Sequence, residues 1–434
     1  MKYLNRFLLF FLIVFSFQMA SAQFTINGEF RNKTMFLDGY KQLLIGSQNP
    51  YGVVVQRSRL SFDYKKDNLS FAFSVQDIRN WGQDATSANN TNMGVFEAWA
   101  KYSFNENFSV KLGRQQIKYD DERLICASNW TDQGVVHDLA VFQYDNKVKT
   151  LKADLGLAMN NNALALNYLS DYTVKNYKYM AYLWLNKTFA EKKLDVSLMS
   201  IMDINQKPLE PNNLNSRFTI GPNVNFKKGK FSIGGIFYYQ GGKLADGKTV
   251  NANFYSAKLG YKITKALELS VVYDHYSGTD FKDTSLAKTT STTFDKLYGT
   301  NHTFLGYMDY FTGNAADITK AAGINDLNIR AIFDFKEKHS IEATYHLYYL
   351  DKAYIPASHK PSLEVNKSLG SEIDLVYTYK YNKIINLSLA YCTMLPNETL
   401  KYLHTGVIGG GNTKFPQFVY LMISFKPNFF TSKD

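Results

Sequence analysis

Arg57 and Arg59 are spaced two residues apart, so on an extended chain both guanidinium forks project from one face. That arrangement suits bidentate capture of a carboxylate or phosphate. A second concentration of charge runs from Gly113 to Trp130 as GRQQIKYDDERLICASNW, with Arg114, Lys118 and Arg123 set among Asp120, Asp121 and Glu122. Two carboxylates facing each other across a substrate would do acid–base chemistry. Adjacent acids on an extended chain point to alternate sides, so Asp120, Asp121 and Glu122 do not form such a pair. The seven histidines show no metal-ligand spacing, so neither a metal nor another cofactor is expected. His302 in Asn301-His302-Thr303 has the chemistry to activate a hydroxyl, as in a membrane-embedded hydrolase, but it reads as a histidine that packs a loop. The charges therefore point to binding or passage, and the chain is not read as an enzyme.

What positions these residues follows from the rest of the chain. Lys2 and Arg6 precede an apolar run from Phe7 to Phe17, and Ala20-Ser21-Ala22 is a small-residue cleavage site. Residues 1–22 are expected to be a signal peptide removed on Sec export, with 23–434 forming one domain. No later stretch has 18 uninterrupted apolar residues, which excludes spanning helices. The formal charge is +11, or +9 without Lys2 and Arg6. Export removes nucleic acid as a partner, so the positive balance is read as an interior or mouth that favours anions. Cys126 and Cys392 are too few for a disulfide scaffold and read as two free thiols.

From Gln23 onward the dominant period is two. Leu69, Phe71, Phe73 and Val75 alternate with Ser70, Ala72 and Ser74. Phe96, Ala98, Ala100, Tyr102 and Phe104 alternate with Glu97, Trp99, Lys101 and Ser103. About 18 such segments follow one another, most of them longer than ordinary globular strands. Short connections such as Lys65-Lys66-Asp67 and Asn105-Glu106-Asn107 alternate with long ones near 36–50, 80–92, 119–134, 161–175, 204–213, 241–248, 277–322, 351–368 and 395–413. This pattern predicts an all-β transmembrane antiparallel barrel with short periplasmic turns and long extracellular loops. A bilayer offers no hydrogen bonds to open strand edges, so the sheet must close. The apolar face then meets outer-membrane lipid and lipopolysaccharide, and the polar face meets a watery lumen. A soluble pair of β-sandwiches is the competing fold, and it leaves the loop alternation unexplained.

Several stretches carry a further likeness. Gln56-Arg57-Ser58-Arg59-Leu60, Gln76-Asp77-Ile78-Arg79-Asn80-Trp81-Gly82, Gly113-Arg114-Gln115, Gly299-Thr300-Asn301-His302, Gly306-Tyr307-Met308-Asp309 and Gly370-Ser371-Glu372-Ile373-Asp374 are spread over most of the mature chain. Together they resemble the alginate export family of outer-membrane porins, in particular its Bacteroidetes-type members. The resemblance implies a monomeric barrel of 18 strands with a charged, largely basic pore. In the family's pattern a tyrosine is followed by Gly-Asp-Gln-Arg-Leu, whereas here Tyr119 is followed by Asp120-Asp121-Glu122-Arg123-Leu124. The two extra acids are expected to offset a basic constriction and to alter selectivity. Nothing in these residues points to alginate itself.

With the apolar face outward, Arg57, Arg59, Ser61 and Asp63 fall inward on the second strand, as do Glu97, Lys101, Arg217, Lys258, Arg330, Asp334, Glu372 and Asp374 on later ones. A charged ring of this kind sets the electrostatic cost of passage. The alternative is that these charges pair across strands and brace the wall. Strict alternation puts Arg114 on the lipid side, so Gly113 is read as a bulge that turns it inward. Asp77 and Arg79 need the same slip unless they sit above the bilayer, and together with Asp121 and Arg123 they complete the expected pore lining. The expected function is passive diffusion of hydrophilic, anion-leaning solutes such as sugar acids or oligosaccharides across the outer membrane of a Gram-negative cell. The alternative is a surface-binding barrel with a plugged lumen and working external loops.

Overall fold

The computed structural model describes residues 22–87, 92–161, 177–189, 191, 193–207, 209–280, 282–313, 319–354, 366–405 and 415–432. The predicted signal peptide lies outside these residues except for Ala22, as do most of the predicted 161–175 loop and parts of 351–368 and 395–413.

Eighteen antiparallel strands close into a barrel. They are β1 (Gln23–Asp38), β2 (Tyr51–Lys66), β3 (Leu69–Asn80), β4 (Met93–Ser103), β5 (Phe108–Gln115) and β6 (His137–Asn146). Next come β7 (Leu151–Met159), β8 (Tyr179–Phe189), β9 (Leu194–Lys207), β10 (Glu210–Lys228), β11 (Phe231–Lys243) and β12 (Thr249–Lys262). The ring continues through β13 (Leu267–Tyr276), β14 (Ile324–Phe335), β15 (His339–Tyr349), β16 (Ser368–Lys380), β17 (Ile385–Pro396) and β18 (Gln417–Phe425). Each strand pairs with its chain neighbours, and β18 pairs with β1 from Phe30↔Phe425 to Asp38↔Gln417, which removes both edges. Short pieces at Thr290–Ser291 and Asn428–Thr431 add to β12 and β1. Among the described residues the helices are α1 (Thr284–Thr289) and α2 (Glu398–Thr405).

Side-chain alternation sorts the two faces of the wall. Leu259, Ile329, Phe333, Leu375 and Leu389 are exposed on the outside although all are apolar, as a lipid-facing wall requires. The inner face is not uniformly polar. In the half nearer the long loops, inward Met199, Ile201, Phe254, Tyr348, Met394 and Phe418 are almost completely buried. What covers them is the chain itself: the 116–136 and 277–323 connections fold into the barrel and contribute Ile125, Phe294, Leu305, Met308 and Phe311 to one apolar cluster with the wall. At these levels both faces of a strand are apolar, one against lipid and one against inserted loop. Cys126 and Cys392 are free and buried there.

Three sequence expectations are corrected at the level of strands. The predicted long connection 204–213 is mostly strand, since Gln206 pairs with Leu214 and Asn205 with Asn215. Its side chains are polar on both faces, which hides the period while leaving the backbone ladder intact. Phe96 faces inward, because a register shift between Ser74 and Val75 places an extra residue in β4. The bulge expected at Gly113 is absent: β5 runs without a shift from Ala98↔Arg114 to Ser103↔Ser109. Gly113 instead has φ +119°, with the Ala98 carbonyl 2.3 Å from where a Cβ would lie, so it serves a close strand approach.

The facing of the wall can be tested on a single strand. Leu375→Arg, on the exposed face of β16, is expected to lower folding stability in lipid vesicles by about 2–4 kcal/mol. Thr378→Arg, on the inward face of the same strand, is expected to leave it within about 0.5 kcal/mol. Equal costs for the two would contradict the assignment of faces.

Candidate functional site

The register of β1 on β2 sets Arg31 directly opposite Arg57 and Glu29 opposite Arg59, all on the inward face. Such a stack of cations is stable only with acids and carbonyls brought to it. Glu29 pairs with Arg57. Asp132 lies 2.6 Å from Arg31 and 3.1 Å from Lys33. Arg31 also donates to the Asn129 carbonyl, Lys33 to that of Trp130 at 3.1 Å, and Arg57 to that of Asp132 at 3.1 Å. Arg31, Lys33 and Arg57 are each at most 4% exposed. These three cations therefore hold the 129–132 turn instead of facing solute. Arg59 lies 3.5 Å above the Phe96 ring and donates twice to Gln76, at 2.7 and 3.1 Å.

The start of the same loop is anchored on the far wall. Arg123 is buried between Asp121 and Asp274, each at 2.8 Å, and donates to the Tyr276 hydroxyl at 3.0 Å. Asp120 accepts from Trp184 at 3.0 Å and from Ser197 at 2.6 Å. Burial pushes its carboxyl up, and those two donors hold it partly back. Glu122 accepts from the Ala127 amide at 2.8 Å, which closes the turn. Asp120 and Glu122 both have positive φ, +54° and +70°. Aspartate is among the residues that tolerate that region. The two extra acids thus brace the loop, contrary to the expectation that they offset a basic constriction.

The 277–323 loop meets the first loop inside the barrel. Trp130 stacks on His302 with centroids 3.8 Å apart and 11° between planes, and donates to Asp309 at 3.1 Å. Asp309 also accepts from Tyr40 and lies 2.5 Å from His302 Nδ1. Burial alone would raise the Asp309 carboxyl, but the facing His302 ring and the Tyr40 hydroxyl outweigh it and hold the group below its ordinary value. Ile125 and Tyr298 form a parallel bridge between the two loops. On the wall, Arg217 grips Asp203 through two nitrogens, at 3.1 and 2.9 Å, and reaches Asp295 of the loop at 2.7 Å. Glu372 accepts from the Met308 amide at 2.7 Å, and Asp374 from the Tyr307 amide at 3.1 Å.

Two cavities remain between loops and wall. One, of about 360 Å³, is lined by Lys258, Asn328, Arg330, Glu342, Phe304 and Tyr307 among others. The other, of about 480 Å³, includes Gln116, Lys118, Glu122, Asn129 and Trp130. Asp121, His302 and Thr303 line both, so these loop-tip residues form the partition between them.

Glu97 and Lys101 also face inward. Glu97 accepts from the Gln116 amide at 3.0 Å, and Lys101 donates to Gln143 at 2.8 Å. Three predicted residues stand elsewhere. Arg114 pairs with Asp138 at 3.0 Å on the outer face, in step with exposed Leu112. Arg79 pairs with Asp77 at 2.7 Å, and their register partners Gln56 and Ser58 share the outward parity of Leu60. These outward charges neutralise each other beside exposed Trp81, which donates to Gln56 at 3.1 Å. None of the three needs to turn inward, because pairing lowers the cost that motivated the turn. The residues overlooked in the sequence are Glu29, Arg31, Lys33, Trp130 and Asp132. Arg31 and Lys33 share the spacing of Arg57 and Arg59, and that signal was there to be read. No periodic signal marks Asp132 or Trp130.

Comparison with known proteins settles the family. The alginate export profile matches residues 40–404. The chain belongs to the alginate export family. It is a Gram-negative outer-membrane β-barrel, and the family's members are channels, not enzymes. No curated protein sequence matches it. Among solved structures, OccK1 (OpdK) of Pseudomonas aeruginosa superposes with a TM-score of 0.61 at 10% identity, covering 94% of this chain and 99% of that one. OpdO of the same organism gives 0.60 at 13% identity, with 94% and 98% covered. OccK2 (OpdF), solved in complex with glucuronate, gives 0.59 at 11% identity, with 94% and 98% covered. At these identities the likeness is one of fold.

Two outcomes follow for the loops of this alginate export barrel. Arg57→Ala leaves Glu29 unpaired under the 129–132 turn and is expected to cost about 3–5 kcal/mol, the scale for breaking a buried pair. The measurement is thermal unfolding in detergent, with limited proteolysis of the 116–136 loop as a second readout. Because the folded Asp309 carboxyl is held low, its contribution is fully present above the unfolded value of about 3.9 and is lost as pH falls through the folded value. Protease resistance of the two loops is therefore expected to persist down to about pH 4 and to fail below it. In Asp309→Asn that additional acid dependence is expected to disappear.

Proposed function

We propose that the protein is a passive channel for small or oligomeric hydrophilic solutes with a preference for anions, sugar acids among them. The observation that carries this reading is Lys258. It stands in the cavity of about 360 Å³ with no hydrogen bond or ion pair among the described residues, next to Arg330, whose charge is already met by Glu342. Asp121, the acid of the partition, is likewise committed to Arg123. Arg123 is held by both Asp121 and Asp274 and Arg330 by Glu342, so among the described residues Lys258 is the lining lysine or arginine left without an acid partner, and it sits among amide and hydroxyl side chains such as Asn223, Asn225 and Thr344. A free cation lowers the electrostatic cost for an anion and raises it for a cation. The glucuronate complex of OccK2 and the vanillate complex of OpdK give support by analogy of fold, since both ligands are carboxylates. On this reading the outer wall contacts membrane lipid and lipopolysaccharide, and the barrel works as a monomer.

A second reading, a surface-binding barrel with a closed lumen, is favoured by how completely the two loops fill the long-loop half. Planar-bilayer recording separates the two. The channel reading expects discrete conductance steps and an anion-selective zero-current potential. A folded, loop-intact barrel with negligible conductance would favour the closed one. A charge about 4 Å from the ion path is worth about 1 kcal/mol in water, with opposite sign for an anion and a cation, so Lys258→Ala is expected to lower the anion-to-cation permeability ratio by up to about thirty-fold. An unchanged ratio would remove the anion preference.

A further inference from the structure

We propose that Glu372 and Asp374 are positioning residues that set the aperture of the pore without touching the solute. The proposal rests on the channel reading above, and it concerns what holds the partition in place. Both side chains project inward from β16 and are almost completely buried, at 0% and 1% exposure. Two acids this deep are ordinarily met by cations. Among the described residues no lysine or arginine is within ion-pair distance of either, and the sole basic neighbour is His346, 3.7 Å from Asp374. What meets them is main chain, together with the Tyr348 hydroxyl, which donates to Glu372 at 3.4 Å. Met308 donates its amide to Glu372 at 2.7 Å, and Tyr307 donates its amide to Asp374 at 3.1 Å. A carboxylate accepting backbone N–H groups forms charge-assisted bonds, stronger than neutral ones.

The turn is shaped for this cradle. Gly306 has φ +87°, and a Cβ there would lie 2.3 Å from Glu372 Oε1 and 2.4 Å from the Tyr348 hydroxyl. Only a residue without a side chain brings the backbone this close to the acids. The same short segment begins with His302 and Thr303, which form the partition together with Asp121, and it passes through Phe304 and Tyr307, which line the cavity that holds Lys258. The cradle and the partition are thus two ends of seven residues. Dissolving the cradle frees the near end and lets the partition move off the path. The acids depend on the turn as the turn depends on the acids, since undocking removes the main-chain donors of both.

The test compares wild type, Glu372→Ala/Asp374→Ala, Glu372→Gln and Gly306→Val in planar bilayers and in liposome swelling with sugars of graded size. Heat-modifiable migration reports that each barrel is closed. The double variant and Gly306→Val reach the cradle from opposite sides. Both are expected to raise single-channel conductance at least about two-fold and to admit sugars that wild type excludes. Glu372→Gln, which keeps an acceptor oxygen for the Met308 amide, is expected to stay near wild type. Closed barrels of the first two variants with wild-type conductance and size limit would overturn the proposal. A silent wild type beside conducting variants would sustain the cradle and sink the passive-channel reading. If all four are silent, limited proteolysis decides: cutting within 277–323 in the variants but not in wild type supports the cradle, and equal resistance overturns it. Should a variant not form a closed barrel, Gly306→Ala, with its smaller clash, takes its place in the same assays.

Discussion

The structure depends on one constraint: polar groups carried into a place without bulk water must be met there by other polar groups. The constraint acts twice. In the bilayer it applies to the backbone, and only a closed ring answers it, so β18 must return to β1. Inside the ring it applies to two loops whose carbonyls, amides and charged side chains leave water when they insert. The inner wall answers with Arg31, Lys33 and Arg57 for the carbonyls of the 129–132 turn, and with Glu372 and Asp374 for the amides of the 306–308 turn. At these two turns cations receive carbonyls and acids receive amides, while elsewhere the first loop also meets Asp274 and Glu97 and the second meets Arg217.

The two loops also bind each other. The gap between them is closed by Trp130 on His302 and by Asp309. Asp309 receives Trp130, Tyr40 and His302 together, so one carboxylate ties the first loop, the wall-side residue Tyr40 and the second loop. The apolar cluster around Phe254, Phe294 and Leu305 adds undirected burial, but it does not choose which turn faces which wall. The direction comes from the hydrogen bonds.

The strands were legible in the sequence because alternation is local: each segment reports its own two faces. All 18 predicted segments correspond to strands, and the closing pair follows from the physics of the bilayer. The loops were not legible for the opposite reason. Asp132 is about a hundred residues from Arg31, and Met308 is 64 from Glu372, so nothing near either partner announces the other. Arg114, Asp77 and Arg79 were misplaced because a charge on the outward face was expected to turn inward, whereas each is met there by an opposite charge. The polar pairs there need no bulge. Phe96 was misplaced by a single extra residue, which reverses every facing beyond it and leaves no trace in composition.

This division bears on how selectivity is read from a sequence. A net charge of +11 suggests an abundance of cations for passing anions. Inside the barrel many of the cations are already paired: Arg31, Arg57, Arg123, Arg217 and Arg330 each face an acid within ion-pair distance. Paired charges are close to neutral from a few ångströms away, so they shape the path without attracting ions to it. What a solute senses is the remainder, and in the cavity lined by Arg330 and Glu342 that remainder includes Lys258. A barrel of this kind can therefore vary its selectivity through a few unpaired residues while the paired ones keep the loops in place. The pairing, more than the total charge, determines which residues are free to act on what passes.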